Sequence, residues 1–240
     1  MIIRDIMTTR LVTVEPDDTL AHAANLLRQH QFHHLPVARK VYVTVEETKE
    51  RKLLLVLEGI LTSQDIDVAV AVSEQDAGRT VPWQERKVGE VMHQAALRVT
   101  PTTSVAAAAQ VLVERGLNYL PVVEFGLLKD ESRSVLVGLV TRSDLLLALS
   151  RAMGAFEPGM QLDIALPAGD LTPIVRVIQL AAELQVPIRC IMAAPLEGRL
   201  PQVATLRLGT INPAPLLKRL QEAGVHYTFG SPLGEGNAHA

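Results

Sequence analysis

The residues best suited to chemistry are two Thr-x-x-Asp turns, Thr62 to Asp65 and Thr141 to Asp144. Each turn follows a hydrophobic run and precedes apolar residues at helical spacing, so each is predicted to open a helix. A helix N-terminus offers free amide donors and a positive dipole end, which suit a phosphate. An Asp one turn in can accept hydrogen bonds from ribose hydroxyls, and the Thr hydroxyl can donate to oxygen. A single turn of this kind would more simply cap its own helix, so its duplication is what favours a ligand.

The two turns belong to an internal repeat, which is the first pattern to seek in a chain of this length. Leu35-Pro-Val37 recurs as Leu120-Pro-Val122, and Val14-Glu-Pro16 recurs at the same offset as Val99-Thr-Pro101. The blocks Gly59 to Asp65 and Gly138 to Asp144 share the pattern Gly-h-h-Thr-x-x-Asp, where h is a hydrophobic residue. They recur at a slightly shorter offset, because the first copy carries a longer insertion. Matched blocks in one order indicate two copies of one structural unit.

Each copy predicts the same elements: a short strand ending at proline, an amphipathic helix, two strands and a second helix. The short strands are expected over Val12–Val14 and Leu97–Val99, and the first helices are capped by Thr19 and Ser104. The apolar positions of the first helices recur at i, i+3, i+4 and i+7, which indicates one buried stripe. They are Leu20, Ala23, Ala24 and Leu27, and then Val105, Ala108, Ala109 and Leu112.

With Leu-Pro-Val and Gly-h-h-Thr-x-x-Asp each present twice, residues 1–150 closely resemble a tandem pair of cystathionine-β-synthase (CBS) motifs, a Bateman module. The first motif is assigned to residues 1–75 and the second to 76–155, including a linker over 76–87. Residues 38–58 and 123–137 are longer than the tight turn usual in the family, and they read as extended hairpins with polar tips.

The resemblance implies two ligand clefts, because the Asp of one CBS motif faces the segment before Leu-Pro-Val of the other. The first cleft would combine Thr141, Arg142, Ser143 and Asp144 with His33 and His34. The second would combine Thr62, Ser63 and Asp65 with Thr100, Asn118 and Tyr119. Arg142 would suit a phosphate in the first cleft, where Glu15 would oppose it, and Tyr119 would stack on a ligand in the second. Both clefts therefore stand as candidates.

A third unit is predicted over residues 160–230, where the order βαββαβ indicates a ferredoxin-like sandwich. Its first strand-helix turn, Pro167-Ala-Gly-Asp-Leu171, resembles the loop of ACT domains, which bind small effectors. A CBS pair followed by an ACT-like domain resembles the acetoin-utilisation (AcuB) type of bacterial protein. Gly169 suits an effector pocket or a simple tight turn equally. The last residues, 231–240, are expected to be disordered.

Composition excludes several classes of function. The formal charge of −3 argues against binding along a nucleic-acid backbone. The single cysteine, Cys190, excludes an internal disulfide and a cysteine-based zinc site. It fits the cytoplasm, and the sequence shows neither a signal peptide nor an apolar run long enough for a membrane span. His33 and His34 are adjacent, so they are not expected to ligate one metal ion. No nucleophile–base pair or glycine-rich phosphate loop indicates an enzyme.

The sequence therefore predicts an α/β (α+β) protein, a CBS pair followed by a ferredoxin-like, ACT-like domain. Its expected ligand is an adenosine compound such as AMP, ADP, ATP or S-adenosylmethionine, with no cofactor and no metal. A homodimer is expected, since family members bury exposed helix faces against a second module. Two other functions stay open: an assembly protein whose clefts bind nothing, or a sensor of amino acids through the ACT-like domain.

Overall fold

The computed structural model describes residues 1–44, 49–75, 81–128, 131–195 and 200–229, and the chain divides into the units Met1–Leu145 and Leu146–Ala240. The predicted hairpin tips at 45–48 and 129–130 and the predicted tail at 231–240 lie outside the described residues. The helices and strands of the repeat are α1 (Leu20–His30), β1 (His34–Thr44), β2 (Arg51–Thr62), α2 (Ser63–Gln75), α3 (Val105–Glu114), β3 (Tyr119–Leu128), β4 (Glu131–Thr141) and α4 (Arg142–Ala152).

The four strands of the repeat form one antiparallel sheet in the order β1-β2-β4-β3. Each hairpin is long, as predicted, and each carries a register shift, after Val37 in the first copy and after Val122 in the second. The predicted strands over Val12–Val14 and Leu97–Val99 are wrong. Only Val14 and Val99 pair, each through a single parallel bridge to Val37 and Val122, because the prolines that follow turn the chain away.

The first helix of each copy begins at the cap that the sequence predicts. Thr19 and Ser104 accept hydrogen bonds from the backbone N–H groups of His22 and Ala107, at 3.3 and 3.1 Å, and so cap α1 and α3. After α1, Gln31 takes the left-handed conformation with φ 55°, and Gly116 takes it after α3 with φ 63°. The two copies thus share one turn geometry although only one of them has glycine there.

The N-terminal segment of each copy packs on the core of the other copy. Ile3 is fully buried in a cluster with Leu112, Leu120 and other apolar residues of the second motif. Val88, at the matching place in the second copy, is fully buried in the core of the first motif. This exchange ties the two motifs into one unit.

The segment assigned as a linker, 76–87, is anchored over its described residues 81–87. Trp83 packs against the core of the first motif. The Arg86 carbonyl accepts a hydrogen bond from Leu20 N at 2.9 Å, and Lys87 Nζ donates to the Asp17 carbonyl at 2.8 Å. This part of the chain therefore holds α1 in place. Residues 76–80, including Gly78, lie outside the described residues.

The second unit contains the predicted element order after α4. Its elements are β5 (Met160–Ala165), α5 (Thr172–Glu183), β6 (Ile188–Met192), β7 (Val203–Leu208), α6 (Ala214–Glu222) and β8 (Tyr227–Phe229). The strands form an antiparallel sheet in the order β6-β7-β5-β8, and α5 and α6 contribute Val177, Leu180, Leu216 and Leu220 to its core. Among the described residues, no helix combines the length and apolarity needed to cross a membrane.

Candidate functional site

The two Thr-x-x-Asp turns have the same internal geometry. Oδ2 of Asp65 accepts hydrogen bonds from Thr62 N and Thr62 Oγ1, both at 2.8 Å, and Asp65 N donates back to Thr62 Oγ1 at 3.2 Å. Thr141 and Asp144 repeat these three bonds at the same distances. One oxygen of each carboxylate is thus used to build the helix start, which leaves the other oxygen, Oδ1, for a further partner.

The two turns differ at that second oxygen. Oδ1 of Asp65 lies 2.8 Å from Nε2 of His93, a side chain that is itself largely exposed. The residue that matches His93 in the first copy is Thr8, and each of the two pairs with a strand of the other copy. Within the described part of the chain, Asp144 has hydrogen-bond partners only at Oδ2. Of the two carboxylates, Asp144 is thus the one whose outer oxygen has no partner among the described residues.

A cavity of about 520 Å³ lies between the starts of α2 and α4. It is lined symmetrically by residues of both copies: His33, His34, Thr62, Ser63 and Gln64 from the first, and Asn118, Tyr119, Thr141, Arg142 and Ser143 from the second. The backbone holds both rims, since Ser63 N donates to the His33 carbonyl at 3.0 Å and Arg142 N donates to the Asn118 carbonyl at 3.1 Å. The rings of His34 and Tyr119 stack across the copies with centroids 4.3 Å apart.

The sequence analysis assigned twelve residues to two separate clefts. In the structure, nine of these twelve residues line one shared cavity. Asp65 and Asp144 are not among the lining residues, but each directly follows one in the sequence, Gln64 and Ser143. Thr100 is not among the lining residues, and its hydroxyl instead contacts those of Thr102 and Thr103 at 3.1 Å in the turn before α3. Gln64 was missed, although its position inside the first Thr-x-x-Asp turn could have identified it.

Arg142 reaches the cavity, but its guanidinium is already engaged. Nε donates to the Leu117 carbonyl at 2.6 Å and Nη2 donates to the Leu112 carbonyl at 3.0 Å. These carbonyls lie at the C-terminal end of α3, where a cation also interacts well with the helix dipole. Arg142 therefore contributes charge to the cavity from a fixed position. Glu15, the residue expected to oppose it, forms an ion pair with Lys40 at 3.2 Å.

The two stacked rings are electrostatically coupled to the carboxylates of the opposite copy. Burial lowers the pKa of His34, nearby His33 lowers it further, and the charge of Asp144 acts in the opposite direction. Burial raises the pKa of Tyr119, and the charge of Asp65 adds to this. Asp144 thus acts on His34, and Asp65 acts on Tyr119. In both pairs the Asp of one motif faces the segment before Leu-Pro-Val of the other, as the CBS resemblance implies. The described residues contain no cluster of three or more His, Cys, Asp or Glu side chains suited to a metal ion.

Three known proteins illustrate what this chain is similar to. A CBS-domain protein of Bacillus subtilis (strain 168), YhcV, is 31% identical over 143 residues, which cover 60% of this chain and 81% of that protein. An acetoin utilization protein (AcuB) from Vibrio cholerae is 26% identical, covering 66% of this chain and 98% of that one, with a TM-score of 0.47. CBSX2, solved in complex with AMP, is 24% identical and covers 62% and 96%, with a TM-score of 0.45.

The model of the CBS domain family matches residues 3–71 and 88–151. These two ranges coincide with the two copies of the repeat, and together they span more than half of the chain. The protein belongs to the CBS domain family.

Proposed function

We propose that this protein is a regulatory module that binds an adenosine-containing, phosphate-bearing ligand at the cavity between its two CBS motifs. The ribose hydroxyls of the ligand bind to Oδ1 of Asp144, and its phosphate lies among the residues that line the cavity. One observation carries the proposal. The cavity lies next to the turn of Asp144, and the outer oxygen of this carboxylate has no partner among the described residues.

The lining of the cavity suits an anion. The helices α2 and α4 both begin at its rim, so the positive ends of two helix dipoles meet there. Hydroxyls of Thr62, Ser63, Thr141 and Ser143 can donate hydrogen bonds, and Arg142 adds a fixed positive charge.

The same geometry ranks the two clefts that the sequence left open. Asp144 offers its outer oxygen to a ligand, whereas the outer oxygen of Asp65 is already bound to His93. A ribose at Asp65 would have to displace that contact. We therefore assign the ligand to the side of Asp144, His33 and His34.

The second unit is proposed to be an ACT-like, ferredoxin-like domain that carries the regulatory output. Its βαββαβ order and its sheet order β6-β7-β5-β8 support this assignment. Gly169 in its first strand-helix turn has φ 77°, and an added Cβ would lie 2.8 Å from the Leu200 side chain. The turn alone thus accounts for this glycine, which favours sensing at the CBS pair over an effector pocket at Gly169. The single cysteine, Cys190, fits our assignment to the cytoplasm.

Isothermal titration calorimetry with AMP, ADP and ATP tests the proposal, with S-adenosylmethionine as the adenosine compound that lacks a phosphate and with D144A and D65A as matched variants. Both variants lose the same cap and should lose about 1 kcal/mol of stability. Only D144A should also weaken ligand binding, by about 1.5–3 kcal/mol, because it removes hydrogen bonds to a charged group. Equal affinities for D144A and the wild type would refute the assignment. No heat with any adenosine ligand would favour the assembly protein instead.

A further inference from the structure

A second groove lies at the C-terminal end of α1, and it shares His33 and Ser63 with the cavity of the nucleotide site. Its volume is about 530 Å³, and its apolar lining residues include Leu27, Phe32 and Ile66. Ser63, Arg28 and Asp67 also line it. We call this the α1–α2 groove. Its apolar side chains suit a ligand with an aliphatic part.

The repeat reveals which group belongs in such a groove, because the second motif fills the matching place with its own side chain. The residue that matches Ser63 is Arg142, whose Nε and Nη2 donate to the carbonyls of Leu117 and Leu112. The matching carbonyls of the first motif are those of Phe32 and Leu27. Among the described residues, no side chain donates to either of them. The first motif thus has the acceptors of the second motif but lacks the guanidinium.

The backbone at the two places is equivalent, so the comparison is a close one. Phe32 N donates to the Leu27 carbonyl at 2.9 Å, as Leu117 N does to the Leu112 carbonyl at 2.9 Å. Ser63 N and Arg142 N are both held by the residue before the Leu-Pro-Val strand, at 3.0 and 3.1 Å. A serine in place of an arginine therefore leaves a groove with the shape and the acceptors for a guanidinium.

We infer that the α1–α2 groove binds a small alkylguanidinium compound, with its guanidinium on the Leu27 and Phe32 carbonyls and its aliphatic chain on Ile66. The negative end of the α1 dipole and the Asp67 carboxylate favour the cation. Arg28 opposes it, but the Arg28 guanidinium is turned to Asn25 Oδ1, 2.6 Å away. Two donors on a planar cation satisfy two carbonyls at once, which an ammonium group cannot do with the same geometry.

The test uses n-butylguanidinium, with n-butylammonium as the matched cation, in ¹⁵N-NMR titrations of the full chain. Butylguanidinium should shift the amide signals of Leu27, Phe32 and Ser63 in a saturable manner, and butylammonium should shift them several-fold more weakly. Shifts absent from these residues, or equal for the two cations, would overturn the inference. This measurement needs no variant, and because the probe carries no phosphate or ribose, its outcome is independent of nucleotide binding.

Three variants sharpen the test. S63R should place its own guanidinium on the two carbonyls, as in the second motif, and so lower butylguanidinium affinity by at least about ten-fold. Q29R adds the same charge to the exposed side of α1 outside the groove, so its affinity should stay within about two-fold of the wild type. R142S should open a matching groove in the second motif, and butylguanidinium should then raise its lowered melting temperature. Equal binding by S63R and the wild type would contradict the inference.

Discussion

Asp65 and Asp144 begin their helices with identical hydrogen bonds, yet they offer different surfaces to a ligand. The difference comes from His93, which follows the N-terminal segment of the second copy and pairs with β2. The matching Thr8 pairs with β4, but it has no bond to Asp144 among the described residues. A residue outside the Thr-x-x-Asp motif therefore decides which of two equivalent carboxylates is available.

Replacing His93 by its counterpart in the repeat should create a second ligand site. H93T frees Oδ1 of Asp65, so calorimetry with the preferred adenosine ligand should give two sites per chain where the wild type gives one. The double variant H93T/D65A should return to one site, because the newly available carboxylate is gone. A stoichiometry of one in H93T would mean that the contact with His93 is not what keeps a ligand from Asp65.

His34 should make the stability of the first unit depend on pH. Since burial lowers its folded-state pKa, the unfolded chain takes up the proton more readily as the pH falls below about 6.5. The free energy of unfolding should therefore decrease from pH 7.5 to 5.5, by at most about 1.4 kcal/mol per pH unit for one group. Urea unfolding of H34Q should show a weaker pH dependence. H30Q, which changes an exposed histidine on α1, should behave like the wild type.

The turn residues of the site could be predicted from the sequence, because duplication marks them without any structure. Nine of the twelve named residues line the cavity, and both Asp residues directly follow a lining residue in the sequence. The role of His93 could not be predicted, since it depends on the pairing between copies. The engagement of Arg142 was missed for the same reason: its acceptors lie on α3, far away in the sequence.

At the scale of elements, the exchange of N-terminal segments explains the two glycines that recur at the start of the Gly-h-h-Thr blocks. Gly59 on β2 lies against the backbone of His93, and Gly138 on β4 lies against Met7 and Thr8. In both places the segment from the other copy runs so close to the strand that a side chain has no room. These glycines are needed for close approach of two backbones, and neither has a positive φ.

The two glycines should nevertheless differ in their tolerance of alanine. A Cβ at Gly59 would lie 2.5 Å from the His93 carbonyl oxygen, which is backbone and bonded to β2. At Gly138 it would lie 2.6 Å from Met7 Sδ, which is part of a flexible side chain. G59A should therefore lose about 2–3 kcal/mol of stability and G138A about 1 kcal/mol. Chemical denaturation of the two variants checks this, and a greater loss in G138A would contradict it.

Long strands and helices were predictable from periodicity and capping, because those signals act over neighbouring residues. The strands predicted at Val12–Val14 and Leu97–Val99 are only single bridges in the structure. An apolar run before proline has the same sequence pattern whether it forms a full strand or one bridge, so the sequence could not distinguish the two. The anchored segment at 81–87 was read as a linker from Pro82 and its charges. Its packing depends on Trp83 finding the core of the first motif, which composition cannot reveal.

At the scale of the whole molecule, α2 has more apolar surface than the first unit buries. Ile66 and Ala69 are buried in the core, but Val68 and Val72, which are one helical turn apart, are 58% and 46% exposed. The pattern gives α2 a second apolar stripe. Such a stripe on a surface helix usually marks contact with another molecule, and most soluble oligomers are symmetric dimers of one chain.

We therefore expect the protein to be a homodimer that buries this stripe of α2 against its copy. Light scattering at micromolar concentration should give twice the chain mass of 26.1 kDa. The double variant V68E/V72E should shift the mass toward a monomer, because a carboxylate buried at a symmetric interface would meet its own copy and remain without a partner. V113E is the matched control: Val113 on α3 is 74% exposed, and its counterpart in the first motif is the charged Arg28. It should leave the dimer intact. A monomeric wild type, or dissociation by V113E and not by V68E/V72E, would show that this face of α2 is not the interface.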